Sequence, residues 1–466
     1  MVLRRSLLKA CSLAAVGLAG CNDADTNGGS PAEQPPSGNP TARAPAEGNR
    51  ISIVDHGAAV DGTTDDTAAI RDAIEAAGPG DVVTFPAGTT LVSGDDKSQP
   101  GVAAIPIDGD AHASNLTLRG EGEASVVQMD GGHESNHKIF EIRVRSGIKG
   151  LTLENITIDG AAADQPQADG DGGWNVNVGK ADNDEVVPDV TFRNLWVRRA
   201  NQNGFRVAHG GCSFVRCTAR ECNLHGFAVD SWGETRNVDP PITVRKCYAV
   251  DNGLYGIDCS GGKVLVEDFV AENNRLGTKT TPEVLETVYR RCRFNNNEMH
   301  GYNRPTTATK TGQRATVTFT AVIAEGNGRT GIRFGFDTDY HVNAVLARRN
   351  NTSGEDSANI MMRDNSTVDA ALVMSYDAQI GAGIRYGSSG PASIETYVHA
   401  GNPEGDLIAD QGGLEIRNSL TRRKFRERRM EATDNVVDRI EELARRTDGG
   451  ILGVPTAAEV GAGSGP

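Results

Sequence analysis

Residues 201–229 read NQNGFRVAHGGCSFVRCTARECNLHGFAV. One phrase stands at both ends of this stretch, NQNGFRV and NLHGFAV, centred on Gly204 and Gly226. Four more segments align on a glycine in the same way: GLYGIDC at Gly256, NRLGTKT at Gly277, EMHGYNR at Gly301 and GRTGIRF at Gly331. A weaker copy surrounds Gly383. The spacings are 22, 30, 21, 24 and 30 residues. That is the period of a solenoid, in which each repeat buries its apolar face only by stacking on its neighbours.

The register within a repeat can be read from alternation. A polar turn precedes each glycine and a strand follows it. The residue after the glycine is usually apolar or aromatic (Phe205, Phe227, Ile257, Tyr302, Ile332), and two positions further Val207, Val229, Cys259 and Phe334 repeat the preference. Strand alternation points these inward and turns Arg206, Ala228, Asp258, Lys279, Asn303 and Arg333 outward. Four residues before the glycine stand Asn252, Asn273, Asn297 and Asn327. On stacked rungs they would form an amide ladder, a structural role. Cys217, Cys247 and Cys292 each lie nine residues before their glycine. Cys217 and Cys247 would stack on adjacent rungs about 4.8 Å apart. Parallel side chains suit a disulfide dihedral poorly, so buried free thiols are the first reading, with a disulfide outside the cell as the alternative. No tight Cys/His quartet suggests a metal.

Outward from the repeat lies DHGAAVDGTTDDTAAIRDAIEAAGPGDVVTFPAGTTLV, residues 55–92. A strand, Ile51-Ser52-Ile53-Val54, leads into it. Ile70, Ala73, Ile74 and Ala77 then recur at helical spacing. Thr64 or Asp65 suits the N-cap, Asp65 and Asp66 suit the positive end of the helix, and Gly78-Pro79-Gly80 stops it. Its aspartates therefore read as a helix start; a Ca²⁺ loop would need a regular alternation of ligands that is absent. With Asp55, Gly57, Ala58, Asp61, Gly62, Asp65, Asp66 and Phe85-Pro86-Ala87-Gly88, this stretch resembles the opening of the pectate-lyase-like superfamily of right-handed parallel β-helices. The resemblance implies that the short helix plugs the N-terminal end. The expected fold is all-β: a right-handed parallel β-helix, a single-stranded solenoid over residues 50–419, with a short N-terminal capping helix and a C-terminal helix.

The chain's 466 residues, 56 of them Gly, with few aromatics, suit a turn-rich all-β fold. A net charge of −15 without a basic stripe disfavours a nucleic-acid partner. The acidic, Lys-poor composition fits high salt, and GC-rich coding gives the same bias. Residues 1–21, MVLRRSLLKACSLAAVGLAGC, read as a targeting segment. Arg4 and Arg5 with Leu7, Leu8 and Lys9 resemble a twin-arginine export signal. Leu18-Ala19-Gly20-Cys21 resembles a lipobox, which implies a lipid on Cys21 and anchoring on the outer face of the cytoplasmic membrane or the cell surface. An ordinary signal peptide is the plainer alternative. Residues 22–49 read as a disordered tether. Residues 420–466 read as a C-terminal helix and a flexible tail, the helix carrying Val436, Val437, Ile440 and Leu443 on one face and ending at Gly449-Gly450.

A β-helix offers a long, shallow groove along one sheet, suited to an extended polymer. Its middle rungs gather His225, Asp230, Tyr255, Asp258, Lys279, His300 and Arg304, flanked by Arg206 and Arg333. Over residues 148–260 the order IKGLTLENITIDG, Gly173-Trp174, VTFRNLWVRRANQNGFRV and CTARECNLHGFAVD resembles the catalytic module of bacterial mannuronan C5-epimerases, related in chemistry to alginate lyases. Asp230 in Gly226-Phe227-Ala228-Val229-Asp230 matches that family's aspartate in G-F-x-x-D. The family's preceding Y-G-F-D-P-H-E motif is not matched: Asn203, Arg206 and Ala208 stand at its Tyr, Asp and His, with His209 one residue on. Tyr255-Gly256-Ile257-Asp258 supplies a Y-G-x-D fragment two rungs later.

Removing the C5 proton of a uronic acid requires a base and neutralisation of the adjoining carboxylate, by Arg, Lys, a protonated Asp or a bound cation such as Ca²⁺. Departure of the C4 oxygen then gives a lyase; return of a proton on the other face gives an epimerase. The expected roles are Tyr255 with His225 or His300 as acid and base, Asp258 and Asp230 as carboxylate or cation contacts, and Lys279, Arg304, Arg206 and Arg333 as substrate contacts. The acidic loop DQPQADGDGG at 164–173 could hold a cation or simply be solvated. Two alternatives stay open. One is a polygalacturonase-like glycoside hydrolase using Asp230 and Asp258 as its carboxylate pair. The other is a non-catalytic polysaccharide-binding or adhesion β-helix, in which the same residues only close turns and pair charges.

Overall fold

The structure is a computed structural model that describes residues 48–94, 102–108, 113–132, 137–144, 148–165, 173–179, 189–229, 240–281, 284–304, 314–353, 358–410 and 412–421. The targeting segment with Cys21, most of the tether, most of the acidic loop, Asp230 and the C-terminal helix lie outside them.

One coil shows the plan. Phe205–Val207 is followed by Cys212–Val215 and Thr218–Arg220, and Phe227–Val229 then opens the next coil. Each strand pairs in parallel with its counterpart one coil on, for example Phe205 with Phe227, Phe214 with Val244 and Ala219 with Ala249. The strands that follow the repeat glycines form a 12-stranded sheet running from Ala103–Asp108 to Leu407–Ala409, and the remaining strands of each coil, two in the earlier coils and one long strand such as Ala315–Glu325 in the later ones, join a 22-stranded sheet. This is the expected right-handed parallel β-helix.

The residues assigned inward fill the core: Phe205, Val207, Phe227, Val229, Ile257, Cys259, Tyr302, Ile332 and Phe334 are all buried. Aromatic rings stack along the axis within it, Phe192 on Phe214 and Phe205 on Phe227, both at 4.9 Å. The described cysteines are buried free thiols. Cys217 N–H points at Cys247 Sγ at 3.4 Å, the stacking read from the sequence, and burial pushes the Cys247 thiol well above its ordinary pKa.

The asparagine ladder is present, with one correction. Asn252 Nδ2 donates to Asn274 Oδ1 at 2.8 Å, Asn274 to Asn297 at 3.3 Å, Asn297 to Asn327 at 2.9 Å, and Asn327 to Asn350 at 2.8 Å. Asn359 continues the run, accepting from Asn350 at 3.1 Å and donating to Asn402 Oδ1 at 3.4 Å. The member before Gly277 is thus Asn274. Asn273 is exposed and holds a left-handed φ of 55°, because this turn reaches its glycine in one residue fewer. The ladder also explains the glycines. A Cβ on Gly256 would lie 2.6 Å from Ala271 Cβ, 2.7 Å from Gly277 O and 3.1 Å from the ladder amide of Asn274. Only a hydrogen leaves the amides room.

At the N-terminus, Thr67–Ala76 forms the capping helix, burying Ala69, Ile70, Ala73 and Ile74, and Arg71 Nε donates to Ala104 O at 2.7 Å. The N-cap is Asp66, not Thr64 or Asp65, and Asp61–Asp65 is a strand. The aspartates serve local backbone as expected. Asp66 accepts from Ala59 and Val60 N–H, Asp61 from Thr63 and Thr64, and Asp65 from Thr67. The leading strand is Arg50–Ser52, and Ile53–His56 turns as a short 3₁₀ helix. At the other end the last described strand runs from Leu414 to Thr421.

Candidate active site

The outward column of the 12-stranded sheet is fixed by its register: Glu141, Asn177, Arg206, Ala228, Asp258, Lys279, Asn303 and Arg333 follow one another on successive rungs. Beside this column, immediately before the repeat glycines, stand Asn203, His225, Tyr255, Leu276 and His300. Two columns spaced by a rung of about 4.8 Å bring residues distant in sequence into contact.

The contact is densest around Asp258. Its Oδ1 accepts from Ser260 Oγ at 2.6 Å, and its Oδ2 faces Lys279 Nζ at 3.3 Å and His225 Nε2 at 3.7 Å. The His225 ring stacks on Tyr255 at 4.7 Å with 22° between planes. Lys279 Nζ lies 5.0 Å from the centre of the Tyr255 ring, within reach of a cation–π attraction. Four of the sequence candidates, His225, Tyr255, Asp258 and Lys279, therefore meet in one cluster.

Its electrostatics follow from partial burial. Burial lowers the His225 pKa to about 4, against the opposing pull of the Asp258 carboxylate. The imidazole is neutral at neutral pH and able to accept a proton. Its Nδ1 is buried with no hydrogen-bond partner, so Nε2 is the nitrogen turned towards Asp258. Burial raises the Tyr255 pKa, only partly offset by Lys279, so its phenol stays protonated and able to donate. Lys279 keeps 21 % of its side chain exposed and places a positive charge at the groove wall.

Three candidates stand elsewhere. Arg304 is fully buried, donating through Nε to Phe336 O at 2.8 Å and through Nη1 to Thr281 O at 2.7 Å. It ties coils together and is no substrate contact. It stands two residues beyond the inward Tyr302, and alternation turns both inward. His300 is 2 % exposed and separated from Tyr255 by the rung carrying buried Leu276, so it is not presented to the groove beside the cluster. Arg333 is half-buried, three rungs beyond Asp258, and its charge reaches Asp364. Asp230 lies outside the described residues, so the carboxylate pair of the hydrolase reading has one described member.

The sequence reading missed Trp174 as part of the groove. Arg206 Cζ sits 4.2 Å and Lys138 Nζ 5.3 Å from the centre of its ring. Lys138 pairs with Glu141 at 2.5 Å, Arg143 with Glu141 at 3.0 Å, and Arg206 Nη1 donates to Asn177 Oδ1 at 3.4 Å. The wall two rungs before Asp258 is thus also cationic. Arg206 belongs to the first glycine-centred repeat, but Trp174, Lys138, Glu141 and Arg143 precede the repeats and so carry little signal in the sequence. Among the described residues no group of three or more His, Cys, Asp or Glu is placed to hold a metal ion.

The model of the rhamnogalacturonase A/epimerase, pectate lyase-like family matches residues 50–303, more than half of the chain and all of the cluster. The chain belongs to that family. Among curated relatives, mannuronan C5-epimerase AlgE1 of Azotobacter vinelandii is 27 % identical over 225 residues, 48 % of this chain and 15 % of the relative. AlgE5 of the same organism is 27 % identical over 232 residues, 20 % of its length. The chain thus spans a fifth or less of the length of these relatives. Among solved structures, the A-module of mannuronan C-5 epimerase AlgE6 from Azotobacter vinelandii has a TM-score of 0.58 at 17 % identity, covering 80 % of this chain and 97 % of that one. The N-terminal fragment of bacteriophage phi29 gene product 12 reaches 0.53 at 15 % identity, covering 79 % and 66 %. At such identities the structural likeness establishes the β-helix alone, and family members share the scaffold across different chemistries.

Proposed function

We propose that this protein modifies a uronate-containing polysaccharide by abstracting the C5 proton. The observation that carries the reading is the contact of a neutral imidazole, a protonated phenol and an ammonium around Asp258. His225 Nε2 takes the proton, and Asp258 steadies the imidazolium that results. The electrons left at C5 spread into the carboxylate, whose charge the Lys279 ammonium offsets. In β-elimination the C4–O bond breaks, a C4–C5 double bond forms, and the Tyr255 hydroxyl protonates the departing oxygen. In epimerisation a proton instead returns to C5 on the opposite face. The cationic wall at Arg206 and Lys138 suits the next anionic sugar of an extended chain. The epimerase names among the relatives support this class of substrate.

The same proposal takes the protein to be exported by the twin-arginine route and anchored through a lipid on Cys21, where an extracellular polymer is within reach. Cys21→Ser should release it from the membrane fraction.

The decisive experiment incubates the protein with a panel of polyuronates, following near-ultraviolet absorbance and C5 deuterium uptake together. A new chromophore marks elimination, and exchange without cutting marks epimerisation. Either signal should vanish in Tyr255→Phe/Asp258→Asn. Polymer binding with neither signal, and no reducing ends released, would leave a binding protein and overturn the proposal; reducing ends without a chromophore would mark a hydrolase.

A further inference from the structure

The larger sheet carries an apolar stripe on its outer face. Val322, Val345, Val373 and Tyr397 point into the main core. Their neighbours one position on, Ile323, Leu346, Met374 and Val398, point outward by alternation and stack in register, with Leu420 completing the row. With Tyr376 they form an apolar cluster of their own. Their exposures are 1, 0, 1 and 0 %, and 6 % for Leu420. A side chain standing outward on a sheet is open to water unless something lies over it. The described apolar residues packed on the stripe, Ala321, Leu372 and Ala400, belong to the same strands and cannot roof it.

We propose that the roof is the chain's own C-terminal segment, docked through Val436, Val437, Ile440 and Leu443. Continuity argues for this occupant: the stripe ends at Leu420, and the chain leaves the last described strand one residue later, at Thr421. Forty-five residues remain (466 − 421). Length agrees as well. Five stacked residues span four rung spacings, about 19 Å. The helix-patterned stretch from 436 to 447 would be about 18 Å long. The fourteen residues from 422 to 435 reach about 46 Å when extended, enough to return to the start of the stripe. An apolar row on one partner meets an amphipathic face on the other, as in helix-in-groove recognition. The segment is then a strap over the last five coils, and the cell's membrane or a second copy of the chain is kept off this face.

The test uses the full-length protein. Ile440→Asp/Leu443→Asp should undock the strap without touching a coil, so an apolar fluorescent dye should bind several-fold more strongly and amide exchange should quicken along 338–348 and 367–376. Asp438→Asn, on the opposite face of the segment, should change neither. A photo-crosslinking residue at Ile440 should join the segment to those strands within one chain. Unchanged dye binding and exchange in the double Asp variant would overturn the proposal. So would crosslinks that run between chains, which would make the stripe a dimer interface, or to phosphatidylglycerol vesicles, which would make it a membrane contact.

Discussion

His225 and Tyr255 show how position decides what a titratable side chain can do. Folding depresses the His225 pKa from about 6.5 to about 4, so between those values the unfolded chain binds the extra proton. Its contribution to stability is full above pH 6.5 and is lost as pH falls towards 4, by at most about 3 kcal/mol. Urea unfolding at pH 7 and pH 4.5 should show a smaller loss in His225→Gln than in the unsubstituted protein. The acid limb of any activity profile should likewise sit nearer pH 4 than 6.5. Tyr255→Phe keeps the stacked ring and the contact with Lys279 but removes the proton donor. Turnover should fall by about 10²–10⁴ with unchanged melting temperature; a loss of polymer affinity alone would mean the hydroxyl only binds. The same scale shows what sequence reading can mistake. Charge alone suggests a groove position for Arg304. The alternation that correctly buried Tyr302 places Arg304 inside as well, and two backbone carbonyls make burial tolerable.

At the scale of the turn and strand, the glycine repeat was legible because three constraints repeat together. An apolar residue must follow, an outward residue must come next, and no Cβ fits where the ladder amides pass. The ladder itself was legible in part. Counting four residues back from the glycine works where turn lengths agree, and it slipped to Asn273 where the turn shortens. Asn350 and Asn359, further along it, do not follow that count because Asn359 stands where a repeat glycine would be, its neighbour Ile360 pairing with Ile332. The bends within the larger sheet are legible only where Asn or Asp occupies them. Arg216, Lys246, Asp268 and Arg291 hold φ between 52° and 55°, a conformation that costs an ordinary side chain about 1–2 kcal/mol. The offset comes from the neighbouring coil, as where Arg291 Nε donates to Asp268 Oδ1 at 2.6 Å. Asn155, Asn194 and Asp268 suit the left-handed conformation, but Arg216, Lys246 and Arg291 carry no such preference. Two substitutions test this scale. Asn297→Ala leaves Asn274 N–H and Nδ2 without the acceptor they share, and should cost about 3 kcal/mol by denaturant unfolding. Gly256→Ala should cost about 2 kcal/mol or more through overpacking against the next coil.

The whole molecule sets a field that its groove opposes. The chain carries −15, while Arg206, Lys279, Lys138 and Arg333 give the groove local positive charge. A polyanion therefore meets repulsion at long range and attraction at contact, and salt acts differently on the two. At 0.01 M the Debye length is about 30 Å, so the approaching polymer feels much of the net charge; at 0.15 M it is about 8 Å and that repulsion is largely removed. Contacts with partly buried cations such as Lys279 are screened less until the Debye length nears 3 Å at 1 M. Affinity for a polyuronate should thus rise between 0.01 and 0.15 M salt and fall again towards 1 M, whereas a neutral polysaccharide should show neither limb. Isothermal calorimetry across that range measures it, and Lys279→Met should flatten the falling limb while leaving the rising one. A monotonic decline from the lowest salt would mean that the groove cations already dominate the field at distance, and that the acidic surface elsewhere on the coils is turned away from the path of the substrate.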